Sequence, residues 1–350
     1  MRIVSCSLLA LFLVARVGAG SDPFAFFEPT VFLSPVDLET LKTGAPVVHV
    51  LPASGHEIAA FTAIAVGPDV TVERSAAWMR QVELLRENRY VIASQRLSTP
   101  PQLSDFDRVV LDDDDLEEIR RCEPGRCGVK LSRADMATLR QAAAAGGMNW
   151  KPLLQRAFRE MLLRRVSTFI AGGRAALDDI VDKPRPSSPA VALTSLAEHT
   201  EFLGDRMPDL AARLVRCANT PHAGTETFLY WSNERLGGKP VITITHVTLI
   251  AGHHASRPLL MVGTQIYASH YLDASLTISA FLREGPVSPG YFVYLHRSSV
   301  DLVGGFWGRI ARSIIEARVR KDGPAILRHV GQRLASGDPP LASDRHGWPR

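Results

Sequence analysis

Gly290-Tyr291-Phe292-Val293-Tyr294-Leu295-His296-Arg297-Ser298-Ser299-Val300-Asp301, followed by Gly304-Gly305, is the stretch that decides the fold. Residues 290–296 read as an aromatic strand and 297–301 as a polar turn. Residues 307–335 then read as one long closing helix, with a Gly323-Pro324 step that can kink it. Upstream, residues 227–235 and 240–250 flank Gly237-Gly238 as a hairpin, and 259–271 and 275–281 read as two more strands. Near the start, 46–51 and 57–66 have strand texture. Pro68-Asp69 breaks the second run, and Asp69 or Thr71 caps a helix to about residue 87 through Val72, Ala76, Met79, Val82 and Leu85. Residues 90–97 resume as a strand, and 106–111 are expected to add another.

Between these strand-rich halves the texture is helical. Ser132 and Asp135 open a helix to 145, Gly146-Gly147 stops it, and 150–171 has a long amphipathic pattern. Residues 183–189 are a proline-rich loop, and 193–202 and 208–215 are further helices. The expected class is α+β: a curved antiparallel sheet gripping a long C-terminal helix, with an all-helical insertion. Residues 24–128 and 220–336 would form the α+β domain, 129–219 the insertion, and 337–350 a disordered tail.

This order of elements resembles the START-like helix-grip (SRPBCC-type) superfamily. Residues 59–66, then Pro68-Asp69 to Leu85, look like its early strand and helix, and Gly304-Gly305 to Ala335 looks like its gripping helix. The likeness covers the two strand-rich regions and is one of element order, without an invariant motif. The helical insertion departs from it. The resemblance implies a cavity for a lipid, sterol, polyketide or other apolar ligand, and in some members an enzyme.

The first residues predict export. Arg2 precedes the apolar run 3–15, Val17-Gly18-Ala19 supplies small residues, and Ser21-Asp22-Pro23 turns polar. Residues 1–19 are therefore expected to be a cleaved signal peptide, and the apolar run is short for a spanning anchor. The mature chain is expected to be periplasmic or secreted, with no transmembrane span, and peripheral membrane contact stays open. The chain has 40 basic and 36 acidic residues, a net +4; without Arg2 and Arg16 the balance is 38 against 36, which does not suggest a nucleic-acid binder. Of 4 cysteines, Cys6 lies in the signal. Cys122 and Cys127 flank the turn Glu123-Pro124-Gly125-Arg126, and in an oxidising compartment they favour a disulfide over zinc, for which no second close pair exists. Cys217 is expected to be a buried thiol.

No motif fixes the chemistry. Asp112-Asp113-Asp114-Asp115 suits a helix start better than a calcium loop, whose spacing it lacks. Gly-x-Ser-x-Gly is absent, and Gly172-Gly173 and Gly304-Gly305 build no phosphate loop, so neither metal nor cofactor is predicted. Arg297 either pairs with Asp301 or meets a ligand's polar end. Tyr267, His270, Tyr271 and Asp273 form an aromatic-polar cluster. His253 and His254 are expected on a surface loop, and His246, His270 and His296 on strands. Those three are expected as separate hydrogen-bonded rings, or, if they converge, as a metal or general-base set. Trp78, Trp231 and Trp307 either pack or cap the cavity. The leading expectation is a protein binding a lipid or other apolar small molecule through Arg297, Tyr267, His270, Tyr271, Asp301 and His246, with the insertion as lid or partner surface. The alternatives are a cavity-based hydrolase, cyclase or isomerase using His246, His270 or His296, and an envelope interaction protein docking through the basic helix 150–174.

Overall fold

Side chains on a strand point alternately to opposite faces, so a sheet with helices on both sides needs apolar residues at both parities. The strands here meet that demand unequally. The computed structural model describes residues 22–216, 224–252, 257–285, 288–303 and 305–340. Its strands are β1 (Val47–Leu51), β2 (Glu57–Val66), β3 (Val91–Arg96), β4 (Thr225–Leu236), β5 (Lys239–Ile250), β6 (Leu259–Ala268), β7 (Leu272–Leu282) and β8 (Gly290–Val300). They form one antiparallel sheet in the order β1-β2-β8-β7-β6-β5-β4-β3. The helices are α1 (Pro35–Lys42), α2 (Val72–Arg80), α3 (Val82–Leu85), α4 (Asp113–Arg121), α5 (Arg133–Ala145), α6 (Trp150–Gly172), α7 (Pro189–Glu198), α8 (Glu201–Arg206), α9 (Pro208–Arg216) and α10 (Gly305–Ala335). The class is α+β, with the sheet curved and the long last helix packed on it.

One face is apolar in almost every strand. Phe61, Ala63, Val262, Leu276, Ile278, Val293 and Leu295 pack beneath Leu193, Leu196, Phe202 and Leu203 of α7 and α8. On the same face, Trp231, Ile242, Ile244 and Ile266 pack beneath Leu154, Phe158, Met161 and Leu162 of α6. The helical insertion is thus a second layer on this face and not a lid on the α10 side. The opposite face carries α2, α3 and α10. Met79, Leu85, Leu327, Val330 and Leu334 meet Ile64, Val247, Leu249, Phe281 and Phe292 there. Gly323 of α10 faces Val48 and Gly331 faces Ile64, over the β1–β2 hairpin.

Several local expectations change. Residues 106–111 are not a strand. After a 3-10 turn (Leu103–Phe106), their backbone is satisfied by side chains of α6: Gln155 bonds both Leu111 N–H and Leu111 C=O, and Arg159 donates to Val109 C=O. Among the described residues no strand lies between β3 and β4. The 71–87 helix is capped by Thr71 but breaks at Gln81 (φ −109°, ψ 52°) into α2 and α3. Residues 297–300 are no turn, because Arg297, Ser298 and Ser299 stay in the ladder between β2 and β7. Cys122 and Cys127 are disulfide-bonded, Cα to Cα 4.7 Å, and Asp112 caps α4 by accepting from Asp115 N–H at 2.8 Å. Among the described residues no helix is long and apolar enough to cross a membrane. The expected signal segment 1–19, Cys217, His253, His254, the Trp307 side chain and the tail from 341 lie outside the described residues.

A buried charge knot ties the helical layer to the sheet. The Lys130 ammonium lies 2.8 Å from Asp273 at the β7 bulge, 3.1 Å from Asp301 after β8, and 3.7 Å from Asp182. Burial opposes the Lys130 charge, but the three carboxylates outweigh it and raise its pKa. Burial raises Asp182 more than Lys130 and Lys183 lower it. Lys130→Met leaves three carboxylates without their central cation and is expected to cost about 3–5 kcal/mol at pH 7 in urea unfolding. Asp182, which burial already raises, would rise further without Lys130, so the variant should regain stability as pH falls. A variant as stable as the parent at pH 7 refutes the knot's role.

Candidate functional site

The face under α10 is not apolar throughout. Register pairs Thr62 with Tyr294, Tyr294 with Ser279, His296 with Thr277 and Ser298 with Ser275. It pairs Thr277 with Gly263, Gln265 with Thr245, Thr245 with Tyr230 and Thr243 with Ser232. Directly opposed residues share a face, so these pairs make a polar band across six neighbouring strands, β2-β8-β7-β6-β5-β4. The band separates two apolar clusters on the same face. One is built on Phe281, Phe292 and Leu327, and the other on Ile58, Val300 and Val303 with Ile315 and Ala311 of α10. Thr62, Ser232, Gln265, Ser275, Ser279 and Ser298 are buried and Thr243, Thr245, Thr277, Tyr294 and His296 half-buried, and each buried hydroxyl or amide must be hydrogen-bonded.

Much of the band is internally paired. Tyr294 OH lies 3.1 Å from His296 Nδ1, and Ser232 Oγ joins Thr243 Oγ1 at 2.9 Å and Glu234 Oε1 at 2.8 Å. Arg86, just past α3, reaches in and donates to Tyr230 OH and, at 3.2 Å, to Glu234. Among the described residues of the band one group is left over. Gln265, 6% exposed, has a long bond from its amide nitrogen to Leu272 C=O at 3.5 Å, and its Oε1 has no partner. Beside it, Gly263 has no room for a side chain, since a Cβ there would come within 2.5 Å of Thr277 Oγ1, which donates to Gly263 C=O at 3.4 Å. Residues 87–90 close over this side toward α10. Arg89 and Tyr90 both bond Asp322, and Arg333 meets Glu87 at 2.9 Å.

The electrostatics leave the band nearly neutral. Glu234 and Tyr230 hold the Arg86 guanidinium firmly charged, so its positive charge is matched within the site. Burial, with Arg86 nearby, pushes His296 down to about 4, and burial pushes Tyr294 up to about 12. At neutral pH the imidazole is therefore uncharged and the phenol protonated. The ring offers one donor and one acceptor, which suits hydrogen bonding or proton transfer to a small molecule.

The residues singled out from sequence sit elsewhere. Arg297 follows His296 and so points to the insertion face. It pairs with buried Glu57 and not with Asp301, and Glu57 also meets His199 Nδ1 at 2.6 Å. Asp301 belongs to the Lys130 knot. Tyr267 is buried against Phe158 and Arg165 below α6. His246 packs on Phe169 on that face, and burial with Arg174 lowers it to about 4. His270 bridges Gly128 C=O at 2.8 Å and Asp115 at 2.9 Å. Tyr271 takes a positive φ of 61° and covers Gly237. The three histidines thus occupy separate places, with His246 and His296 on opposite faces. Trp78 donates to Gly337 C=O and Trp231 to Asp105 C=O, so both pack and neither caps a cavity. Sequence reading overlooked the band, whose signal was same-parity Ser and Thr in Ser275-Leu276-Thr277-Ile278-Ser279 and Thr243-Ile244-Thr245.

Comparison with protein-family models, curated proteins and solved structures returns no match for this chain.

Two measurements check these assignments. In NMR titration the His296 ring is expected to turn over near pH 4. The unfolded ring protonates near 6.5, so stability should hold above that pH and decline as pH falls from there to 4, with a gentler decline in His296→Gln. A His296 midpoint near 6.5 would refute the desolvated placement beside Arg86. Arg297→Ala removes the buried cation and leaves Glu57 only the His199 ring, and is expected to lose about 3–5 kcal/mol of folding stability; a change below about 1 kcal/mol, the scale of an exposed pair, would contradict it.

Proposed function

We propose that the α10 face holds a small molecule, a lipid or another mainly apolar compound, with its polar group on the band and its apolar part against a flanking cluster. The observation that carries this reading is the polar band itself, continuous over six strands on the face that carries α2, α3 and α10, with the unpartnered Gln265 Oε1 on β6 within it. A fold that needed only packing would fill these positions with aliphatic side chains. Arg86 is already matched by Glu234 and His296 is neutral, and Gln265 Oε1 lacks a donor, which favours a hydroxyl or an amide N–H over a free anion as the ligand's polar group. The strand order β2-β8-β7-β6-β5-β4-β3, with α2 and α3 after β2 and α10 last, supports the helix-grip resemblance from which the expectation of a ligand came. The polar residues expected to read that ligand change from Arg297 and the 267–273 cluster to His296, Tyr294 and Gln265. Work in the periplasm or outside the cell belongs to the same proposal, and a local disulfide suits an oxidising compartment.

One observation favours a second reading, an enzyme on the same site. His296 is uncharged at neutral pH and contacts Tyr294, a pairing able to accept and return a proton. The two readings differ in whether the ligand leaves unchanged.

Native mass spectrometry and organic extraction of the purified full chain test the proposal, with Gln265→Leu as the informative variant. The parent is expected to carry a compound with one polar group. The variant should lose it while its ligand-free form stays as stable as the parent or gains, because an unpaired buried acceptor has gone. Recovery of the compound chemically altered would favour the enzyme. Repeated absence of any compound, with Gln265→Leu merely destabilised, would sink both readings.

A further inference from the structure

The outer side of α10 carries a second feature that the ligand site does not use. Three large aliphatic side chains within one short stretch face solvent: Leu302 at 48%, Ile310 at 50% and Ile314 at 64% exposure. Ile310 and Ile314 are one turn apart, and Ala317 and Lys321 continue their stripe at helical spacing. These are not loose core residues. The core side of the same turns is supplied by Ala311 and Ile315, which pack on Ile58, Val300 and Val303. Arg312 fixes that side by donating to the Glu57 and Gly55 carbonyls. The helix is therefore apolar on two sides, one docked and one bare.

Charge surrounds the bare side. Residues 305–335 hold seven Lys and Arg against two acids, a net +5, whereas the whole chain is +4, so the rest of the protein is slightly negative. Arg320 is well exposed and only loosely paired with Glu316 at 3.7 Å. Long basic side chains beside exposed aliphatics suit a membrane interface. The aliphatics enter the acyl boundary, and the cations reach back to phosphates. A second copy of the chain fits poorly, because an isologous contact would bring one +5 helix against another.

We infer that the outer face of the first half of α10 docks onto an anionic phospholipid surface. The contact is peripheral. It is independent of the ligand site, so the two proposals fail separately.

Vesicle flotation of the full chain tests it, using phosphatidylcholine vesicles with and without about one third phosphatidylglycerol, enough to make the surface strongly anionic. The protein is expected to float with the anionic vesicles at least about tenfold more than with neutral ones, and to be released by about 0.5 M NaCl, where screening shortens the reach of charge. Ile310→Asp with Ile314→Asp should abolish flotation, and Arg320→Glu with Lys321→Glu should weaken it about tenfold. All four positions are exposed, and circular dichroism checks that the variants stay folded. No flotation of the parent, or unchanged flotation of the aspartate variant, overturns the inference. So does sedimentation showing a self-associated parent made monomeric by Ile314→Asp, which would give the patch to a second copy.

Discussion

The pairing of β2 with β8 is the constraint on which the rest depends. It runs in register from Glu57 opposite Ser299 to Val66 opposite Gly290, with no irregularity, and it joins segments more than two hundred residues apart. It attaches the N-terminal hairpin to the last strand, and it gives α10, which follows directly, a surface to lie on. A slip of one residue would exchange the two faces of β8. Arg297 would then enter the polar band, while His296 would face the helical layer. The matched Glu57–Arg297 pair on one side and the Thr62–Tyr294 and His296–Thr277 neighbours on the other oppose that slip.

The two faces divide the work. The insertion face supplies the larger apolar interior, two clusters built from α1 and α4 to α9 on one side and seven strands, β1, β2 and β4 to β8, on the other. Its few polar members are tied down. Burial works against the Asp115 charge, but bonds from His270 and Lys239 outweigh this and lower its pKa. Lys130 gathers three aspartates at the sheet end. That stable face frees the other from packing alone. On the α10 side, two apolar clusters anchor the helices at either end, and hydroxyls, an imidazole and an amide fill the space between. Arg86 and the 87–90 segment link α3 to both the band and α10, so the polar chemistry is also part of how that side closes.

Much of the architecture was legible in one sequence. The apolar strand texture of 57–66 and 240–250, the Gly237-Gly238 hairpin, the Thr71 and Ser132 caps and the long last helix all follow from local rules, and all appear in the fold. Residues 106–111 misled because an apolar extended run reads alike whether a ladder or neighbouring side chains satisfy its backbone. Here Gln155 and Arg159 do so. Residues 297–300 misled because Arg-Ser-Ser has turn composition, yet partners on both flanks keep it in the sheet.

The candidate site shows the same boundary more sharply. Sequence alone determined that the chain is α+β, where its helices and most strands lie, that Cys122 and Cys127 can meet across a turn, and that Ser and Thr recur at one parity in β5 and β7. These are short-range matters, set by backbone propensity and side-chain period. Only the tertiary structure decided which parity lies under α10, and so that His296 and Tyr294 join the band while Arg297, Tyr267 and His246 serve the opposite layer. It also decided that the inserted helices cover the far face. Those outcomes depend on the register between strands hundreds of residues apart, and a register is a property of the paired partner as much as of the strand itself.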